Sequence, residues 1–332
     1  MFKFLWRTAF ARPVVHVPNT FLHHGQSAYE RVKELVELGE RHPGTAGHTQ
    51  TQELILSHLK PLNCKVETVP FVAETPLGPM AMSNIIAKFG SANGALSVVS
   101  GHFDTIRPAC VNQVGRKARI MRSWRKILRK PWPARDGSTF AGANDGGSST
   151  TLLMEMATIL DQRADLKNVW IVFFDGEEAL VEWKEGDQTY GSRHQVRLWK
   201  NDGTLARIRS LINLDMVGAA EFEAMYELAS TASLRDQTWK LAHRLGYGSY
   251  FPTHHRRKIG DDHVPFVLAG VNAVDIIDGE YGPGNGYWHT LEDSPDKLCP
   301  QTFAVITHLL TELLAEVSIA ADEPSDGRIS TD

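Results

Sequence analysis

The segment NVWIVFFDGEEA at residues 168–179 decides the predicted fold. Its first part, residues 168–174, is almost continuously apolar, which is typical of a strand buried on both faces of a sheet. Similar apolar runs occur at residues 208–214 and 271–277, and segments with helical spacing lie between the strands. Apolar strands that alternate with helices predict a three-layer α/β/α sandwich around a mixed, mostly parallel, twisted sheet.

The other parts of the chain supply further elements of the same two kinds. Pro43 and Gly44 are expected to end the first helix, and Pro61 is expected to follow the second. The remaining predicted elements are helices over 27–41, 48–60, 147–161 and 301–319 and strands over 65–72, 83–88 and 96–100.

The composition is that of an ordinary globular protein. Of the 332 residues, 42% are hydrophobic and 22% are charged, which is enough apolar material for one large core. No change in composition along the chain separates two domains. We therefore predict an irregular lead-in over 1–25, a single domain over 26–320 with a basic insertion at 107–139, and a flexible tail over 321–332.

The cysteines and the N-terminus leave the cellular compartment open. Cys64, Cys110 and Cys299 are widely spaced, so they form neither a disulfide framework nor a CxxC metal motif, although one bridge could form. The N-terminal MFKFLWR begins like a signal peptide, but Arg7 and Arg12 interrupt the apolar stretch that such a signal requires. A secreted or periplasmic location and a cytoplasmic one are both compatible with this sequence.

Titratable side chains directly follow several predicted strands. Three strands are followed at once by such residues: His102, Glu177 with Glu178, and Asp215. In open α/β sheets, sites form beyond the carboxyl ends of the strands, so these side chains are expected to meet at one edge. Imidazole and carboxylate groups are ligands that suit zinc. The candidate metal ligands are His102, Asp145, Glu178, Asp215 and His289.

Five motifs along the chain carry a family resemblance. They are GHFDT at 101–105, GANDGGSS at 142–149, FFDGEEA at 173–179, NLDMVG at 213–218 and YWHT at 287–290. In this order they resemble the motif series of the co-catalytic zinc aminopeptidases, and the upstream HPGTAGHTQTQELILSHL resembles the N-terminal helix region of that family. The resemblance covers roughly residues 40–320 and implies an aminopeptidase-like fold and a zinc cofactor.

Two branches of this family differ in their metal content. The aminopeptidases hold two zinc ions, whereas the animal-type glutaminyl cyclases use one. The segments DGEEALVEWKEGDQTYGSRH at 175–194 and DDHVPF at 261–266 are more similar to the cyclase branch. The chain departs from the animal cyclases at Gly146, where they have a polar residue, and in having no match to their cysteine pair.

The resemblance to the cyclase branch implies a role for each matching residue. The implied ligands of a single zinc ion are Asp145, Glu178 and His289. The implied catalytic residues are Glu177 as proton shuttle and Asp215 and Asp261 as its hydrogen-bonding partners. The implied lining of the substrate pocket is Trp183 and Trp288. In the aminopeptidase branch, His102 and Asp215 would bind a second metal ion.

The implied activity is that of a zinc-dependent glutaminyl-peptide cyclotransferase, which converts the N-terminal Gln of a peptide or protein to pyroglutamate and releases ammonia. One metal ion is sufficient for this reaction, because the attacking amine and the amide belong to the same residue. The first alternative is a di-zinc aminopeptidase that hydrolyses N-terminal residues from peptides. The second, from another class, is a non-catalytic binding module, and it is disfavoured because no ligand or acid–base residue is missing.

The insertion at 107–139 is unusually basic. It contains ten Lys or Arg residues and one acidic residue, and Met121, Trp124, Ile127 and Leu128 fall on one helical face. A basic amphipathic helix could contact an anionic membrane surface. The favoured interpretation is a surface insertion that packs onto its own domain. We expect no nucleic-acid partner, because no stacking aromatics of a known module are interleaved with the charges.

Overall fold

A six-stranded sheet forms the centre of the fold. The computed structural model describes residues 15–90, 94–108, 140–166 and 168–322. The strands of the central sheet are β1 Lys65–Thr75, β2 Gly78–Phe89, β3 Leu96–His102, β4 Val169–Phe174, β5 Ile208–Asp215 and β8 Ala273–Ile277. Two further strands, β6 Tyr226–Glu227 and β7 Arg256–Arg257, pair in parallel in a separate small sheet.

The sheet is mixed and mostly parallel, as predicted. Its strands lie in the order β1-β2-β4-β3-β5-β8. β2 is antiparallel to both of its neighbours, whereas β4, β3, β5 and β8 run parallel to one another. Every residue of β3, β4 and β8 is buried. This burial on both faces explains why these strands appear in the sequence as continuous apolar runs.

Helices cover both faces of the sheet. The described residues form α1 Asn19–Val36, α2 Ala46–Leu59, α3 Gly147–Gln162, α4 Tyr190–Asn201, α5 Ala232–Arg244, α6 His263–Leu268 and α7 Pro300–Asp322. Ile171 and Phe173 of β4 share one core with α1, α2, α3, α5 and α7. Val172 and Phe174 face the other way and share a second core with α4 and α6. The three-layer sandwich predicted from the sequence is therefore confirmed.

The first helix begins earlier than predicted. α1 starts at Asn19, inside the segment 1–25 that we expected to be irregular. Within that segment His24 lies 3.0 Å from Glu155 of α3, and a Cβ atom on Gly25 would lie only 2.4 Å from a backbone oxygen of α7. Glycine and histidine are weak helix formers, so contacts with other helices, which the local sequence does not reveal, explain this difference.

Other boundaries shift by a few residues. α1 ends at Val36 rather than at residue 41, because Gly39 takes a φ of 80° and turns the chain before the Pro-Gly pair is reached. α7 continues to Asp322, two residues into the predicted tail. Residues 1–14 and 323–332, and the insertion from residue 109 to 139, lie outside the described residues. Membrane contact through that insertion therefore stays a prediction.

Two observations concern the cysteines and the membrane. Cys64 and Cys299 are free thiols, and Cys110 lies outside the described residues. Among the helices that the structure describes, none combines the length and the apolar character needed to cross a lipid bilayer.

A buried carboxylate joins α1 to α3. Glu155 is 3% exposed and accepts hydrogen bonds from His24 Nδ1 at 3.0 Å, Ser27 Oγ at 2.5 Å and Arg31 Nε at 3.0 Å. Burial by itself would raise the pKa of Glu155, but the three donors outweigh burial and hold this pKa below its ordinary value. The carboxylate therefore stabilises the fold in its ionised form.

We expect Glu155→Gln to lower the free energy of unfolding by about 2–3 kcal/mol at neutral pH, because three donors lose an anionic acceptor. Since the pKa of Glu155 is lower in the folded than in the unfolded state, its contribution is complete above the ordinary value of 4.5 and is lost as the pH falls through the folded value. Urea unfolding of both proteins from about pH 3 to pH 8 measures the difference. A difference that stays constant over this range would contradict the assignment.

Candidate metal centre and active site

The side chains of interest lie at the carboxyl ends of neighbouring parallel strands. β3 ends at His102 and β5 ends at Asp215. Glu177 and Glu178 lie in the turn after β4, and Asp145 lies in the loop that leads into α3. Since β4, β3 and β5 are adjacent and parallel, these loops meet at one edge of the sheet.

Asp145, Glu178 and His289 converge at the centre of this edge. Their side chains are buried, and the Nε2 atom of His289 lies 3.1 Å from Asp145 Oδ2 and 3.0 Å from Glu178 Oε1. One donor atom from each residue lies within 4.8 Å of the others. The predicted ligands are thus close enough together to share one ion.

The unpartnered atoms of these residues fit a bound cation. Glu178 Oε2 is buried and accepts no hydrogen bond from the described residues. Asp145 Oδ2 is also buried and lies near His289 Nε2, but not in the geometry of a hydrogen bond. Two carboxylates brought together in a protein interior are costly unless a positive charge lies between them. A nitrogen donor with two carboxylates is a donor set that suits zinc and leaves a coordination position open.

A second group of donors shares Asp145 with the first. His102 Nε2 lies 3.1 Å from Asp215 Oδ1 and 3.4 Å from Asp145 Oδ1. Donor atoms of these three residues also lie within 4.8 Å of one another. Asp145 therefore presents one carboxylate oxygen to His102 and the other to His289, as a residue placed between two metal positions would.

Gly146 is held in place by close packing. It has a φ of 74°, and a Cβ atom on it would lie 2.3 Å from the carbonyl oxygen of Asp104 and 3.2 Å from the ring of His102. No side chain fits there without movement of the backbone. The loop that carries Asp145 therefore packs directly on the ring of His102.

Asp104 holds the turn that carries both glutamates. Its Oδ1 atom accepts the backbone N–H of Glu177 at 3.1 Å, and its Oδ2 atom accepts that of Glu178 at 3.2 Å. Its Oδ1 atom also lies 3.5 Å from His102 Nδ1. Its stronger contacts are with the glutamate turn, which sequence reasoning did not predict.

Asp293 fixes the loop of Asp145 and was missed by sequence reasoning. It is fully buried and accepts the backbone N–H groups of Asn144 at 2.7 Å and Asp145 at 3.1 Å. The hydroxyl of Tyr281 donates a third hydrogen bond to it at 2.8 Å. The sole sequence signal was its position four residues after His289, in a segment that looks like an exposed turn.

We expect Asp293→Asn to weaken metal binding by roughly 10- to 100-fold. The NH₂ group of Asn cannot accept a hydrogen bond, so one of the two backbone N–H groups that Asp293 now binds would lose its acceptor. Competition with a chromophoric chelator measures the affinity, and thermal unfolding checks that the fold is retained. Asp202→Asn is a matched control at the surface, since Asp202 is exposed at the end of α4. Unchanged metal affinity in the Asp293 variant would contradict this role.

The Arg41 side chain connects two loops that border the metal centre by hydrogen bonds. Its side chain is fully buried, and its guanidinium donates to the carbonyl oxygens of Phe103 at 3.2 Å, Ala141 at 2.6 Å and Gly142 at 2.7 Å. Burial lowers the pKa of Arg41 to about 10, so it remains charged at neutral pH. A lone arginine beside a Pro-Gly pair gives no sequence signal for such a role.

Glu177 lies among other buried carboxylates. Burial raises the pKa of Glu177 well above its ordinary value, and the charge of Asp261 adds to the shift. Burial also raises the pKa of Asp215 to about 7. Asn213 Nδ2 donates to Asp261 at 2.9 Å and to Asp275 at 3.2 Å. The first of these hydrogen bonds fixes the orientation of the Asp261 carboxylate.

The remaining histidines lie apart from the metal centre. His263 is fully buried and donates from Nε2 to Glu227 at 3.1 Å. His254 is exposed and His255 is half-buried, with their Nε2 atoms 3.4 Å and 3.2 Å from Glu223 Oε2.

A cavity of about 240 Å³ opens beside the centre. Residues that line it include Glu177, Asp215, Asp261, Trp183, Trp288 and Arg257. The ring of Trp288 stacks on His289 with the ring centres 4.2 Å apart, and the ring of Trp183 lies 6.3 Å from that of His289. The residues predicted for catalysis and for substrate binding thus line one cavity that adjoins the predicted metal ligands.

A three-layer sandwich with a buried histidine–carboxylate cluster at the carboxyl edge of its parallel strands is typical of a metal-dependent enzyme. The sequence model of peptidase family M28 matches residues 84–314, and the chain belongs to this family. Membership of this family and the donor set together indicate zinc as the metal. The family resemblance of the motifs is therefore confirmed.

Individual relatives point to two activities within this family. A solved glutaminyl cyclase from an Acidobacteriales bacterium is 30% identical with a TM-score of 0.77, over 95% of this chain and 100% of that one. A glutaminyl-peptide cyclotransferase-like protein of Bos taurus is 29% identical over 83% of this chain and 72% of its own length. A solved leucine aminopeptidase precursor from Bacteroides thetaiotaomicron is 26% identical with a TM-score of 0.73, over 94% and 100% of the two chains.

Proposed function

We propose that this chain is a zinc-dependent glutaminyl-peptide cyclotransferase, which converts the N-terminal Gln of a peptide to pyroglutamate and releases ammonia. The observation that carries the proposal is the shared lining of one cavity by Glu177, Asp215, Asp261, Trp183 and Trp288. The glutaminyl cyclase structure and the cyclotransferase-like relative named above support it. In this proposal the single zinc ion is bound by three residues: Asp145, Glu178 and His289.

The reaction is an attack of the substrate α-amine on its own side-chain amide. Because both groups belong to one residue, holding the side chain in a folded conformation supplies much of the rate enhancement. When bound, zinc supplies Lewis-acid polarisation of the amide carbonyl. No external water has to be activated, which distinguishes the reaction from peptide hydrolysis.

Glu177 is the residue that moves protons in this mechanism. A carboxylate in the cavity wall can accept a proton from the attacking amine and return it to the departing ammonia. The raised pKa of Glu177, caused by burial and by Asp261, allows it to hold that proton near neutral pH. Asp215 and Asp261 line the same cavity, and their role in this mechanism would be to hold the protonated Glu177 and the amide nitrogen by hydrogen bonds.

The two indole rings give the cavity an apolar wall around the reacting residue. Trp288 lies against His289, and Trp183 approaches the same imidazole from another direction. A glutamine side chain held between such rings is shielded from bulk water, which would otherwise hydrolyse the amide to glutamate. The rings therefore favour cyclisation over deamidation.

An aminopeptidase activity is the second candidate function. The second donor group of His102, Asp145 and Asp215 and the similarity to a leucine aminopeptidase precursor favour it. In that case two zinc ions would be bound, and Glu177 would act as general base toward a water molecule. The two candidates use the same side chains and differ in metal stoichiometry and in product.

Incubation with matched peptides that begin with Gln or with Leu separates the two functions. We expect pyroglutamyl peptide and ammonia from the Gln peptide, no free amino acid from either peptide, and one zinc ion per chain by mass spectrometry of the metal. Release of free leucine by protein that contains two zinc ions would instead establish the aminopeptidase.

A further inference from the structure

A short basic strand borders the mouth of the cavity. The sequence HHRRK at 254–258 contains β7, and the side chains of Arg256, Arg257 and Lys258 are exposed. Arg257 belongs to the cavity lining, together with Trp288. A cationic residue that is exposed to solvent therefore forms part of the cavity wall.

The side chains of the two arginines of β7 point to opposite faces of the strand. Successive side chains of a strand point to opposite faces. The guanidinium carbon of Arg256 lies 4.5 Å from the ring centre of Tyr226 on the paired strand β6, and Arg235 approaches the same ring at 4.1 Å. Arg256 is thus engaged by an aromatic ring, whereas Arg257 faces the cavity.

Four carboxylates share the cavity lining with Arg257: Glu177, Asp215, Asp261 and Asp278. Two further acidic groups near it, on β6 and just before β6, are engaged by other residues. Glu227, its partner in the β6–β7 pair, is buried and accepts hydrogen bonds from three backbone N–H groups and from His263. Glu223 is shared by the two histidines that precede β7. Within the part of the chain that the structure describes, no carboxylate forms an ion pair with Arg257, so its charge is available to a ligand.

We propose that Arg257 binds a carboxylate of the substrate beyond the reacting N-terminal residue, so that the enzyme favours peptides with an acidic residue near their N-terminus. The proposal rests on the proposed function for the identity of the first residue. That residue occupies the cavity against Glu177 and the two tryptophans, and the following residues pass the mouth. A guanidinium matches a carboxylate with two parallel hydrogen bonds, which an ammonium cannot do.

The carboxylate can come from an Asp or Glu side chain or from the C-terminus of a very short peptide. Five substrates separate these sources: Gln-Ala-Ala-Ala-amide, Gln-Glu-Ala-Ala-amide, Gln-Ala-Glu-Ala-amide, the free dipeptide Gln-Ala and its amide Gln-Ala-amide. We expect kcat/KM to be about fivefold higher for a Glu-containing peptide than for the neutral one, as for an exposed ion pair, and the advantage to shrink at high salt. If the C-terminus is the source, the advantage appears with Gln-Ala and disappears in Gln-Ala-amide.

Arg257→Gln tests the assignment, and Arg256→Gln is a matched control that removes the same charge from the neighbouring residue on the opposite face. We expect the preference for a carboxylate to disappear in Arg257→Gln, to persist in Arg256→Gln and to persist in part in Arg257→Lys. Equal kcat/KM for all substrates, a preference that survives Arg257→Gln, or an equal loss in both Gln variants would overturn the proposal.

A failure of the proposed function can be distinguished from a failure of the role proposed for Arg257. If no Gln peptide is cyclised, that function is wrong, and the preference is then measured as binding affinity from tryptophan fluorescence with the same peptides. Tighter binding of the peptides that carry a carboxylate by wild type, but not by Arg257→Gln, supports the role of Arg257. Equal affinities overturn it.

Discussion

Replacement of Glu177 by Gln is expected to lower kcat for a Gln-initiated peptide by about three orders of magnitude, while the protein keeps its metal. General acid–base catalysis contributes roughly 10²- to 10⁴-fold, and here one carboxylate both accepts and returns the proton. Gln has nearly the same shape as Glu, and the backbone N–H of residue 177 that Asp104 accepts is unaffected. The loss should therefore appear in kcat, with little change in KM.

The measurement pairs steady-state kinetics with metal analysis of the same sample. Glu182→Gln is a suitable control, because Glu182 is exposed in the same segment that follows β4 and carries the same charge. The control should retain wild-type activity, and both variants should bind as much zinc as wild type. Full activity of Glu177→Gln would remove the proposed proton shuttle, and loss of its zinc would show that Glu177 is needed for metal binding.

The second large effect is expected for His289→Ala, which should lose both bound zinc and activity. His289 supplies the nitrogen donor, which lies 3.1 Å from Asp145 and 3.0 Å from Glu178. Its removal leaves the two carboxylates as the remaining proposed ligands. Loss of one ligand of three leaves a site that cannot hold the ion tightly. We expect less than about one-tenth of the wild-type zinc content after dialysis, and activity reduced in the same proportion or more.

The zinc content of His102→Ala shows whether the chain binds one zinc ion or two. If the chain binds one zinc ion at the group containing His289, the His102 variant should keep its full zinc content. A fall from two ions to one in that variant would show that the second donor group is a metal site and would favour the aminopeptidase. Unchanged zinc content in His289→Ala would contradict the proposed ligand set itself.

Much of the fold could be predicted because its strands carry a strong local signal. Residues 169–174 are buried on both faces, so nearly every side chain there is apolar and the pattern identifies the strand without any partner. The site residues follow these strands directly, so their convergence at one edge follows from parallel packing. The same rule predicts that Glu177 and Glu178, which follow β4, lie at this edge.

The residues that were missed act through contacts distant in sequence. Asp293 accepts from backbone groups almost 150 residues earlier in the chain, and Arg41 contacts the carbonyl oxygen of Gly142 across a separation of 101 residues. No local pattern marks a side chain whose partners are main-chain atoms of another loop. The early start of α1 has the same origin, since Gly25 is helical because α7 packs against it.

The burial of Arg41 has a practical consequence for handling the enzyme. Its hydrogen bonds join the segments around Phe103 and Gly142 through main-chain oxygens, and none of them involves a proposed metal ligand side chain. These hydrogen bonds do not depend on the ion, so they can hold the two loops in place after its removal. Chelation should yield a folded apoprotein that regains activity on simple addition of zinc, and other divalent ions can be exchanged into the same scaffold without a refolding step.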